Sequence, residues 1–144
     1  MKDCTQCPYW QYVRSWIGTP YKRGWRVRKK GADCVAFVIK CAEVCFKRND
    51  FHLVYKSSNL RQLRNSPLAF LQSLADRWGG KLKLPPYEPV CGDICIRELG
   101  ARFDVWTAFK IGGYYAYVSL AGVTLVQKFQ ADIMITFGGL KCPS

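Results

Sequence analysis

From Cys34 to about Lys47 the chain places apolar residues at 34, 35, 37, 38, 41, 42, 44 and 45, with few polar gaps. At helical spacing these positions cover most of a helix circumference, so the run predicts a helix buried on nearly all sides. Such a helix constrains the rest of the chain, because other layers must enclose it. Asp33, directly before it, suits its N-cap or the position just outside.

The enclosing layers can be read on either side. Tyr9 to Gly18 has apolar residues at 9, 10, 13, 16 and 17, a helical spacing that stops at glycine. Thr19-Pro20-Tyr21 and a basic segment follow as a loop. Beyond the central helix come a turn, a short extended piece and a helix from about Pro67 to Trp78. Pro67 suits that helix's first turn and Gly79-Gly80 its end. After the proline-rich connection "KLKLPPYEPVCGD" the pattern switches to strands: "DICIREL", a hairpin of "VWTAFKI" and "YYAYVSL" around Gly112-Gly113, then "GVTLVQKF" and "ADIMITF". Helices first and an antiparallel sheet second make an α+β order. With 144 residues and no internal repeat or long linker, residues 1–144 read as one domain. A chain of this size, 49% hydrophobic, needs no disulfides to build a core.

Charge narrows the partners. Net charge is +12, from 22 basic and 10 acidic residues, which favours nucleic acid, cell wall or an acidic protein surface. Six of the basic residues, Lys22, Arg23, Arg26, Arg28, Lys29 and Lys30, crowd into the nine positions before Gly31. They are the candidate binding residues, and a solvated loop is the equal alternative. Trp25 among them suits single-stranded nucleic acid, yet no nucleic-acid fold signature accompanies it, so that partner is not expected.

Eight cysteines raise two further questions, compartment and metal. The start "MKDCTQCPYW" has no apolar signal region, and no run is long enough to span a membrane. The expectation is synthesis in a reducing cytoplasm, with most thiols acting as small buried hydrophobes. Release by lysis or carriage on a particle remains compatible, since neither needs a signal peptide. Cys4 and Cys7 have half of a zinc site's spacing, while Cys41/Cys45 and Cys91/Cys95 are four apart. No second C-x-x-C completes a site, so no metal and no cofactor is expected.

Cys34 is different because it opens a helix. Unpaired backbone N–H groups and the positive end of the helix dipole stabilise a thiolate there. Arg28, Lys29 and Lys30 add cations. The same N–H groups suit an oxyanion formed by thiolate attack on a carbonyl.

"WIGTPYKRGW" followed by "GADCVAFV" resembles the NlpC/p60 family of cysteine endopeptidases, and "CGDICIRE" is similar to the Gly-Asp strand of that family. The resemblance runs from about Tyr9 to Val126. It is most specific at Thr19-Pro20-Tyr21 and Asp33-Cys34, and nearest to the phage-tail branch. It implies a papain-like fold, Cys34 as nucleophile and Tyr21 on the oxyanion side. It also implies a tail-tip setting: a virion protein made in the host cytoplasm, with tail-tip or hub proteins and peptidoglycan as partners.

The same resemblance places the catalytic histidine at Ala108 and the third polar residue at Ala116, and neither alanine can accept a proton. The only histidine, His52, lies in a connecting region and is expected to have no catalytic task. Tyr115 and Tyr117 are weak bases. Natural loss accounts for alanine at both positions; an engineered inactivation accounts for one. The expectation is therefore a degenerate, mainly structural peptidase domain. The alternatives are an active peptidase with another base and a basic nucleic-acid-binding module.

Overall fold

The computed structural model describes residues 8–21, 26–27, 31–32, 34–54, 67–99, 104–119 and 121–140. Helix α1 (Pro8–Arg14) is followed by turns to Gly18, then by a short ribbon of β1 (Arg26–Val27) and β2 (Gly31–Ala32). The central helix α2 (Cys34–Cys45) comes next, then α3 (Phe51–Val54) and α4 (Pro67–Trp78). Five strands were expected after α4 and the described residues hold six: β3 (Lys81–Lys83), β4 (Ile94–Leu99), β5 (Asp104–Ile111), β6 (Tyr114–Ser119), β7 (Gly122–Val126) and β8 (Ile133–Thr136). They form one antiparallel sheet in the order β3-β8-β4-β5-β6-β7. The architecture is α+β.

Three local readings change. The basic segment is not all loop, since Arg26 pairs with Ala32 and Val27 with Gly31. The piece after the turn is helical at Phe51–Val54. The proline-rich connection begins with a strand, β3, that three residues of mixed burial did not announce.

The core explains the near-continuous apolar run of α2. Phe37, Val38, Cys41 and Ala42 are fully buried, in one cluster with Ile94, Ile96, Phe109, Ile111 and Ala116 of the sheet. Leu71, Leu74 and Trp78 of α4 join that cluster from one side, Trp10 and Val13 of α1 from the other. Each large side chain so enclosed stabilises the fold by roughly 1.5–3 kcal/mol.

The end of α2 is built without glycine. Lys47 takes a positive φ of 56°, and the Arg48 amide N–H donates to the Glu43 carbonyl at 2.8 Å, a left-handed helix stop. The Arg48 guanidinium then donates to the Trp78 carbonyl at 3.0 Å and lies 4.7 Å from the Phe51 ring centroid. Phe51 stacks on Trp78 at 5.1 Å, so the ends of α2 and α4 are clipped together.

The opposite face of the sheet has a second, smaller cluster. Cys95, Ala108, Tyr115 and Met134 are buried there beneath Tyr87, Tyr117 and Phe129. No helix among the described residues is long and apolar enough to cross a membrane.

Candidate functional site

Cys34 is the first residue of α2, and that helix lies on β5 and β6. The chain before it is tied to the same corner. Trp16, 1% exposed, meets Phe37 edge-on at 5.3 Å, and Phe37 is one turn into α2. The buried indole N–H of Trp16 has no hydrogen-bond partner among the described residues. Thr19 is fully buried, and its carbonyl accepts from the Val123 amide at 2.9 Å. A Cβ on Gly122 would stand 2.7 Å from that carbonyl, so glycine is required for Thr19 and Pro20 to lie against β7. Tyr21 follows at the surface, 40% exposed. Thr19-Pro20-Tyr21 is thus a docked segment, with threonine as anchor and tyrosine left outside.

Several expected site residues lie outside the described residues: Lys22, Arg23, Arg28, Lys29, Lys30 and the Asp33 cap. The backbones of Arg26 and Cys34 are placed, in β1 and α2 respectively.

The two alanines expected in the vacated base and third positions do not share a face. Ala108 pairs with Tyr117, and Ala116 pairs with Phe109. Side chains alternate along a strand, so residues that pair lie on one face and their neighbours on the other. Ala116 packs in the α2 cluster with Phe109, whereas Ala108 is buried on the far side with Cys95 and Met134. A histidine at 108 would point away from the helix that begins at Cys34. The β5 residue that does face α2 there is Thr107, 3% exposed, which lines a small apolar cavity with Val35, Val38 and Ile96. Tyr115 and Tyr117 also face away from α2, with Ala108.

His52 is engaged elsewhere. Its Nδ1 lies 2.5 Å from Glu43 Oε2, and its backbone N–H donates to the same oxygen at 3.1 Å. Glu43 is 3% exposed and nine residues past Cys34, about 13 Å along α2 at 1.5 Å per residue. Among the described residues, then, no histidine reaches the start of α2.

Of the four other described thiols, Cys41, Cys45 and Cys95 are buried and Cys91 is half-buried. Burial pushes Cys45 up to about 12, with Cys91 nearby as the second cause. Cys95 is pushed up to about 12 by burial and then by Asp93. Cys41 is raised well above the ordinary thiol value by burial, then by Cys45. No group of three or more His, Cys, Asp or Glu among the described residues is arranged to hold a metal ion.

Gly92-Asp93 leads the loop after β3 into β4, held by backbone bonds in both directions with Lys110. Asp93 is fully buried, and its Oδ2 accepts from Tyr87 Oη at 2.8 Å and from the Val90 amide at 3.0 Å. This pins the proline-rich loop over the far face of the sheet. Gly92 has φ +94°, and a Cβ there would stand 2.7 Å from the Phe46 ring.

Compared with family models, curated proteins and solved structures, the chain matches none.

Proposed function

We propose that this chain is an NlpC/p60-like, papain-like domain that keeps the nucleophile position at Cys34 but works without hydrolysis, as a structural and wall-contacting part of a phage tail tip. The motifs around Thr19-Pro20-Tyr21 and Asp33-Cys34 support the family. The α+β order and a cysteine opening the central helix are compatible with it.

The observation that carries the loss of chemistry is the pairing of His52 with Glu43 at 2.5 Å. Peptide hydrolysis by a thiol needs a group that removes the thiol proton and returns one to the leaving amine. The residues that β5 and β6 turn toward α2 include Thr107, Phe109, Ala116 and Val118, none of which titrates near neutrality. Among the described residues, a tetrahedral adduct of Cys34 with a peptide carbonyl therefore lacks the proton donor that would release the amine and leave the acyl-enzyme.

Co-sedimentation with purified peptidoglycan tests the binding half of this reading. Retention that is equal for the native chain and Cys34→Ala is expected. Failure of both to sediment would remove peptidoglycan as a partner.

A further inference from the structure

The sheet face turned away from α2 gathers cations that are scattered in sequence. Register sets Lys83, Met134, Cys95, Ala108, Tyr117 and Thr124 in one row across the six strands. Lys81, Arg97 and Lys110 lie two residues from members of that row, so they project from the same face. Lys81 and Arg97 are exposed, while Lys83 and Lys110 are half-buried. Among the described residues, none of the four is in an ion pair.

Aromatic rings share the face. Lys110 Nζ lies 4.4 Å from the Tyr115 ring centroid, and Lys83 Nζ lies 5.8 Å from that of Tyr87. Tyr117 is half-buried, next to Phe129 at 6.1 Å. Asp93 is fully buried beneath Tyr87 and presents no carboxyl oxygen at that surface. Among the described residues, the exposed acids in the bordering loops are Glu88 and Asp132. Lys81 and Lys110 are three strands apart, about 14 Å, and Lys81 and Lys83 about 7 Å. That is the scale of a site for a few nucleotides.

We propose that this face binds single-stranded nucleic acid, with phosphates on Lys81, Lys83, Arg97 and Lys110 and a base against the accessible part of Tyr117. Unpaired cations call for a polyanion. Rings among them favour one that carries planar bases over a wall polymer or an acidic protein. The surface lies across the sheet from the start of α2, so it is separate from Cys34, and either function can hold without the other.

Fluorescence anisotropy with a labelled oligo(dT), between about 50 and 200 mM salt, tests this. Four phosphate contacts give a log–log salt slope of about −2.8 for a single strand. Lys81→Gln with Arg97→Gln, both exposed and harmless to the core, should reduce the slope by about 1.4. The reduction should persist when the basic residues of 22–30 are neutralised, and Tyr117→Leu should weaken binding about tenfold. No binding at low salt, a slope indifferent to the paired substitution, or equally tight binding of poly(glycerol phosphate) would each overturn the proposal.

Discussion

His52 Nδ1 sits 2.5 Å from Glu43 Oε2, which holds the only histidine of the chain beside the C-terminal half of α2. The contact joins α3 to α2 and satisfies a carboxylate that is almost fully buried. Its role is structural. His52→Ala is expected to lower unfolding stability by about 1–3 kcal/mol, because Glu43 loses a partner inside the fold. Urea denaturation measures that loss. The alkylation rate of Cys34 should stay unchanged, and a slowed rate would link His52 to the thiol after all.

The opposite faces of Thr107 and Ala108 lead to a paired substitution. Ala108→His forces an imidazole into the filled layer of Cys95 and Met134 and should cost about 1–3 kcal/mol or more. It should gain no hydrolysis. Thr107→His instead puts the ring on the α2 side, beside Val35. Any restored release of muropeptides is expected from Thr107→His alone; restoration by Ala108→His would contradict the strand register.

The buried thiols set an alkaline limit. In the unfolded chain Cys45 and Cys95 ionise near the ordinary 9.0, whereas in the folded protein they do so only at about 12. The protonated thiol therefore favours the folded state. That contribution is complete below about pH 9 and is lost as pH rises toward 12. Each such thiol adds a slope of up to about 1.4 kcal/mol per pH unit in this window. Urea midpoints measured from pH 8 upward should fall, and Cys45→Ala should flatten the fall whatever its effect at neutral pH.

Tyr87 and Asp93 give a test of the loop over the far face. Tyr87→Phe removes the 2.8 Å bond to a carboxyl group that already has one buried oxygen, Oδ1, without a partner among the described residues. A loss of about 1–3 kcal/mol is expected for leaving a buried oxygen short of a partner. Asp93→Asn with Tyr87→Phe should cost less than the sum of the two single changes, because they share one bond. Additive losses would show that the bond contributes nothing.

Much of this architecture is legible in the sequence where periodicity is long. The run from Cys34 and the segment Pro67–Trp78 end within about two residues of their helices, because apolar spacing and the terminal proline and glycine agree. The hairpin at Gly112-Gly113 is equally plain. Lys81–Lys83 was not, because three residues are too few to establish a period, and it is β8 pairing that makes them a strand. The same limit governs the site. Cys34 announces itself by opening a helix, but which of Thr107 and Ala108 faces that helix depends on a register one residue wide. Likewise Lys81, Lys83, Arg97 and Lys110 form a surface only after β8 inserts between β3 and β4.

Whether Cys34 works as a nucleophile is tested most directly by muropeptide release from purified peptidoglycan, comparing the native chain with Cys34→Ala. No release is expected from either protein, at concentrations where both are folded. Release by the native chain that disappears with Cys34→Ala would show a working nucleophile and a base that the described residues do not contain.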